Sequence, residues 1–175
     1  YIGSGFKELA TNRSIKFSIE SECPGMNIWF DDTKMQRILN NIYSNAFKFT
    51  PDGGLISTIV ATEKKDEKIF VRIEISDTGC GISEKDLNVI FDRFYQSEPI
   101  PGVTGSGIGL HMVKEYVSLH NGKIEVHSKI GVGTTFLIYI PSDLKGDDSE
   151  SKVPAMSPDV EEKVVYSDRK TILIV

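Results

Sequence analysis

The sequence predicts an α+β fold, a two-layer α/β sandwich in which a mixed, mostly antiparallel sheet packs against about three helices. Two observations carry that expectation. Strand-patterned and helix-patterned stretches interleave through residues 1–141, and the last two strands are separated by a glycine-flanked, hairpin-like turn. Residues 14–20 (S-I-K-F-S-I-E) alternate with period two, and within residues 69–75 Ile69, Val71, Ile73 and Ile75 share one face. Residues 55–62, 123–128 and 134–140 are further strands, the last two joined through Gly131-Val132-Gly133. The chief helix covers residues 33–49, with Asp31 and Asp32 as N-cap candidates and Pro51 with Gly53-Gly54 as its stop. A shorter helix covers residues 84–91, and a third covers residues 108–120 before Asn121-Gly122.

Composition bounds the function. With 175 residues, 39% hydrophobic and 26% charged, the chain can bury a real core, which excludes general disorder and a disulfide-stapled mini-protein. The net charge of −5 argues against a general nucleic-acid surface. No apolar run reaches the roughly 18 residues of a membrane helix. Cys23 and Cys80 have no metal-ligand spacing and suit a reducing compartment. Residues 142–170 carry eight acids and five bases and few bulky apolar groups, so residues 142–169 read as an acidic flexible linker. Residues 170–175 (K-T-I-L-I-V) form a β-branched run typical of a buried strand. Beginning at Tyr1 and stopping inside that run, the chain reads as a piece of something longer.

On a helical wheel Met35, Ile38, Leu39, Ile42, Ala46 and Phe49 make one broad apolar stripe, bordered by Asn41, Asn45 and Lys48 at i, i+4 and i+7. An amide oxygen is a hard ligand for Mg²⁺ and a lysine neutralises phosphate, so the three suit a metal-complexed anion. Asp77-Thr78-Gly79-Cys80-Gly81-Ile82 follows a strand directly. Its glycines permit a sharp turn and close approach to a flat ligand, and its carboxylate can accept from an exocyclic amine. Gly105-Ser106-Gly107-Ile108-Gly109-Leu110 opens the third helix, where freed N–H groups and the helix dipole attract an anion. It matches neither the dinucleotide fingerprint nor the Walker loop. Residues 96–104 have the Pro and Gly content of a lid, and Phe91-Asp92-Arg93-Phe94-Tyr95 could hinge it and present Arg93 to phosphate. Singly, each has a plainer reading: a solvated helix face, an ordinary turn, a linker, core packing.

Together and in this order, Asn41-x-x-x-Asn45-Ala46-x-Lys48-Phe49-Thr50, Asp77-x-Gly79-x-Gly81, Phe91-x-x-Phe94, Gly105-x-Gly107-x-Gly109-Leu110 and Gly131-x-Gly133-Thr134-Thr135-Phe136 resemble the asparagine box and glycine-rich boxes of sensor histidine kinases. The resemblance spans residues 6–141 and implies the Bergerat ATP-binding fold, with ATP and Mg²⁺ as cofactors. It implies that Asn45 coordinates Mg²⁺ assisted by Asn41, that Lys48 contacts phosphate, and that Phe49 packs on the adenine. Asp77 would accept from the exocyclic amine, with Gly79, Gly81 and Ile82 beside it. Gly105, Ser106, Gly107, Ile108, Gly109 and Leu110 would cradle the phosphates, and Thr134 would line the base pocket. Asn41, Asn45, Lys48 and Arg93 would serve catalysis.

One departure from the wider superfamily matters. Its hydrolases usually carry a glutamate where Asn41 stands, and an amide cannot act as a general base, so transfer to an outside nucleophile is favoured over hydrolysis. None of His111, His120 and His127 sits in the His-Glu-x-x-Thr-Pro context of the family's acceptor helices, so the acceptor is expected upstream. Residues 170–175 resemble the first strand of a receiver domain, which implies a hybrid kinase whose partners are its own acceptor and dimerisation helices and a receiver in cis or a response regulator. The resemblance places the domain in the cytoplasm and the parent in a bacterial inner membrane. An anti-sigma-type serine kinase of the same fold and a nucleotide-binding pseudokinase are the rival readings.

Overall fold

The computed structural model describes residues 3–23, 26–96, 106–142 and 169–174. In chain order they form α1 (Gly3–Asn12), β1 (Lys16–Ser21), β2 (Met26–Asp31), α2 (Asp32–Phe49), β3 (Leu55–Lys65), β4 (Lys68–Asp77), α3 (Glu84–Leu87), α4 (Gly109–Leu119), β5 (Lys123–Lys129), β6 (Gly133–Ser142) and β7 (Arg169–Ile174). One sheet has the order β1-β3-β4-β6-β5, with β1 parallel to β3 and every other pair antiparallel. This is the expected mixed α+β sandwich. A second, two-stranded sheet pairs β2 with β7 antiparallel.

Two tight turns set the sheet register. Lys65 pairs with Lys68, and the two residues between them, Asp66 and Glu67, have φ of 48° and 66°. Left-handed conformation at both central positions is the type I′ geometry that matches strand twist. Between β5 and β6 the turn is Ile130-Gly131-Val132, with Gly131 at φ 75°.

Alternation then decides which side chains meet the helices. Val71, Ile73 and Ile75 of β4 and Phe136, Ile138 and Ile140 of β6 are buried. Against them pack Met35, Ile38 and Ile42 of α2 and Val113 and Val117 of α4. Each such side chain contributes about 1.5–3 kcal/mol through the area it removes from water. Continuing the same parity, Asp77 and its cross-strand partner Thr134 fall on the helix-covered face at the end of their strands. The strand period therefore delivers one carboxylate and one hydroxyl to the edge of the core.

α2 begins where Asp31 accepts from the Lys34 N–H at 2.9 Å, and it ends as the Thr50 N–H donates to the Ala46 carbonyl. Its buried face is wider than the expected stripe. Tyr43 and Phe47 are buried in addition to the residues named from the wheel, while Leu39 and Phe49 stay partly exposed. The cause is a second layer of contact: Phe6 of α1 lies 5.2 Å from Tyr43 and 5.3 Å from Phe47, ring to ring, and Phe17 of β1 lies 5.5 Å from both. The Tyr43 hydroxyl shares a hydrogen bond of 2.9 Å with Thr58, which satisfies both buried oxygens.

Several boundaries differ from the sequence reading. α1 and β2 were not expected, so the described residues hold four helices where about three were predicted. The helix expected over residues 84–91 stops at Leu87, capped by Ser83, and continues as turns. The first strand begins at Lys16 rather than residue 14, because Ser14 takes φ 52° and turns the chain out of α1. Most of the expected linker, residues 143–168, lies outside the described residues, and residues 169–174 are a strand.

Candidate functional site

The C-terminal half of α2 carries Asn41, Asn45, Lys48 and Phe49, all partly exposed. Three glycines mark close approaches around it, two of them against backbone and one against a side-chain end. A Cβ on Gly109 would lie 2.6 Å from Asn41 Oδ1, so the start of α4 abuts the helix at Asn41. A Cβ on Gly79 would lie 2.8 Å from the Phe49 carbonyl oxygen, and the Cys80 N–H donates to that oxygen at 3.3 Å. A Cβ on Gly133 would lie 1.9 Å from the Asp77 carbonyl oxygen. Motifs far apart in the chain are thus brought to one place.

Asp77 is the centre of the Gly79 loop. Its Oδ1 accepts from the Gly79 N–H at 2.8 Å and from the Thr134 N–H at 3.3 Å. Burial raises its pKa above the usual carboxylate value, and the two N–H donors only partly oppose this. Behind it runs a hydroxyl relay. Ser128 donates to the Gly133 carbonyl at 2.9 Å, accepts from the Ile82 N–H at 2.8 Å, and lies 2.9 Å from Thr134 Oγ1. A serine has one proton to give, so Thr134 donates to Ser128 and keeps its lone pairs for the site. Ser128 is a support of the candidate site that sequence reasoning missed. Only its position opposite Thr134 in the β5–β6 ladder, once the hairpin is drawn, could have signalled it.

The start of α4 is built differently. α4 starts at Gly109 with Ile108 as N-cap and no side-chain cap, so its first N–H groups have no capping side chain. Gly107 has φ 67°, and its carbonyl accepts from the Phe94 N–H at 2.9 Å. Ser106 and Leu110 flank this turn, Ser106 exposed and Leu110 packed against the core. Gly105 and the expected lid, apart from Gln96, lie outside the described residues. Arg93 is exposed and stacks on Phe94 at 4.8 Å. Asn41 donates from Nδ2 to the Arg37 carbonyl at 2.7 Å, which leaves its oxygen toward Gly109. No side-chain hydrogen bond of Asn45 is present among the described residues. Lys48 Nζ lies 5.1 Å from the Phe49 ring centre, and a groove of about 430 Å³ runs past Lys48, Phe49, Gly79 and Arg13.

Two of the three histidines bond the backbone, while His127 is exposed on β5 with its Nε2 3.9 Å from Glu125. His120 Nε2 accepts from the Asp31 N–H at 3.1 Å while Nδ1 bonds the Tyr116 carbonyl at 2.7 Å, and His111 Nδ1 bonds the Phe91 carbonyl at 3.2 Å.

Gly107→Ala tests the loop directly. A Cβ there would lie 2.7 Å from the Phe94 carbonyl carbon and the Tyr95 carbonyl oxygen, in a left-handed conformation. The substitution is expected to cost about 1–3 kcal/mol of stability and to weaken binding of a nucleotide analogue, read by thermal melting and titration. A variant that melts and binds like the wild type would show the turn to be unconstrained.

Residues 30–144 match the model of the histidine kinase-, DNA gyrase B- and HSP90-like ATPase family. The chain is 33% identical over 195 residues to histidine kinase P4 of Formosa agariphila, covering 97% of this chain and 14% of that protein. It is 40% identical over 148 residues to hybrid signal transduction histidine kinase D of Dictyostelium discoideum, covering 80% of this chain and 9% of that protein. The chain therefore spans a small part of these relatives. Among solved structures, full-length ShkA in complex with AMPPNP matches with a TM-score of 0.66 and 25% identity, over 81% of this chain and 28% of that one.

Proposed function

Because the chain belongs to the histidine kinase-, DNA gyrase B- and HSP90-like ATPase family and is a histidine kinase catalytic ATP-binding domain, we propose that it binds ATP with Mg²⁺ and donates the γ-phosphate to a histidine on an acceptor helix of its parent protein. The observation that carries this reading is the convergence on α2: a half-buried carboxylate at one end, a helix start without a capping side chain at the other, and two carboxamides and a lysine between them.

In this reading Asp77 accepts from the adenine amine and Thr134 completes that edge, with Gly79, Gly81 and Ile82 shaping the loop. Phe49 offers its ring to the base. Lys48 meets phosphate charge, and the N–H groups from Ser106 to Leu110 receive the phosphate oxygens. Asn45 supplies an amide oxygen to Mg²⁺, with Asn41 assisting. That donor set suits the ion: no cluster of three or more His, Cys, Asp or Glu able to hold a metal occurs among the described residues, and Mg²⁺ commonly takes one or two protein oxygens, waters and phosphates. When bound, the ion neutralises charge on the phosphates in transfer. The AMPPNP held by ShkA supports the ATP assignment by likeness. Arg93 is the further cation available to the transferring group.

Asn41 cannot take a proton from water, so the domain alone should release inorganic phosphate slowly compared with the rate at which a supplied acceptor helix is phosphorylated. Parallel phosphate-release and transfer assays test this. Robust release without acceptor would assign a hydrolase. We further propose that residues 170–175 begin a receiver domain, that residues 142–169 link it to a catalytic domain of residues 1–141, and that the domain faces the cytoplasm of a membrane-anchored parent. Likeness to a hybrid kinase supports the first two, although in this structure residues 169–174 pair with β2, and likeness to sensor kinases supports the third.

A further inference from the structure

The last turn of α2 carries Lys48 and Phe49, and like any helix end it leaves carbonyls without intrahelical partners. Two of them are held by a residue from outside the helix. Arg13, in the connection between α1 and β1, donates from Nη1 to the Phe47 carbonyl and from Nη2 to the Thr50 carbonyl at 2.9 Å. Its Nε pairs with Asp52 at 2.7 Å. The backbone closes the same contact: the Gly53 N–H donates to the Arg13 carbonyl at 3.1 Å, and the Lys16 N–H donates to the Gly54 carbonyl at 2.9 Å.

The chemistry suits an arginine. A planar guanidinium with five donors can hold two carbonyls and a carboxylate at once, where an ammonium acts as a point charge. A positive group also complements the negative end of the helix dipole. The two bound carbonyls bracket Lys48 and Phe49 in the chain, and Arg13 lines the same groove as both.

We propose that Arg13 is a positioning residue for nucleotide binding, holding the last turn of α2 so that Lys48 is kept at the phosphate side of the site. This rests on the nucleotide-site reading above. Three of the five N–H donors of Arg13 hold the Phe47 and Thr50 carbonyls and Asp52, which fixes the guanidinium on the end of α2, so its proposed action is through Lys48 rather than on the nucleotide. The ion pair with Asp52 is exposed and adds little; the two carbonyl bonds, partly shielded from water, supply the hold.

The test is a double-mutant cycle read by titration with Mg²⁺ and the nonhydrolysable analogue AMPPNP, well below the melting midpoint of every variant. Arg13→Ala is expected to weaken AMPPNP binding about tenfold in the wild-type background, the worth of one or two hydrogen bonds. In a Lys48→Ala background the same change should cost less than about threefold, because the group it positions is gone. A purely structural role would lower the melting temperature alike in both backgrounds and leave the affinity of folded protein unchanged. Should Arg13→Ala not fold, Arg13→Lys, which reaches one carbonyl, is expected to lose about threefold in affinity. Wild-type affinity in either variant, or equal losses in both backgrounds, overturns the proposal. A wild-type chain that binds no AMPPNP would instead overturn the nucleotide-site reading itself.

Discussion

Replacing Asp77 with asparagine is expected to weaken nucleotide binding about tenfold to a hundredfold, while the unliganded domain melts no lower than the wild type near neutral pH. The two halves have one cause. Asp77 is held on the core-facing side of β4 by strand parity, and burial raises its pKa against the pull of the Gly79 and Thr134 N–H groups. A carboxyl that binds its proton more tightly when folded disfavours folding once ionised. Its unfavourable contribution therefore appears as pH rises through the carboxylate range and persists above the raised folded value. An uncharged amide removes that contribution and can still accept from both N–H groups. It no longer presents a carboxylate to an exocyclic amine. Calorimetric titration and melting curves from about pH 4 to pH 8 would read both quantities. Affinity and stability falling together would make Asp77 a structural residue.

Asn45→Ala is expected to reduce phosphotransfer by about a hundredfold or more and to remove the Mg²⁺ dependence of nucleotide binding, with no loss of stability. Stability should hold because Asn45 has no side-chain hydrogen bond among the described residues and alanine is the better helix former. Binding measured with and without Mg²⁺, beside a transfer assay, separates the two effects. Wild-type Mg²⁺ dependence in the variant would move the metal ligand elsewhere.

How much of this was legible in the sequence follows from the range of the interactions. α2 was readable end to end because Asp31, the apolar period and Pro51 are all local signals. The five strands of the main sheet were all read from the sequence, two of them by their alternation, and the parity of residues 69–75, once continued, puts Asp77 on the core-facing side. α1 escaped because only Phe6 and Ala10 mark its inward side in a segment with two glycines, and β2 because its partner, β7, lies far along the chain. Missing α1 had a second effect: Tyr43 and Phe47 were left out of the core because the aromatic ring that covers them, Phe6, was not yet in a helix. The candidate site residues were legible as motifs, and the structure brings several of those motifs together. Their supports were not, since Ser128 and Arg13 act through contacts made only after the hairpin and the α1–β1 turn are in place.

Delivery of phosphate to a histidine is tested most directly by mixing the domain with labelled ATP, Mg²⁺ and an acceptor helix carrying the His-Glu-x-x-Thr-Pro context and examining the phosphorylated residue. The expected product is an acid-labile, base-stable phosphohistidine that is lost with Asn45→Ala. An acid-stable phosphoserine, or no transfer by a domain that still binds AMPPNP, would contradict it.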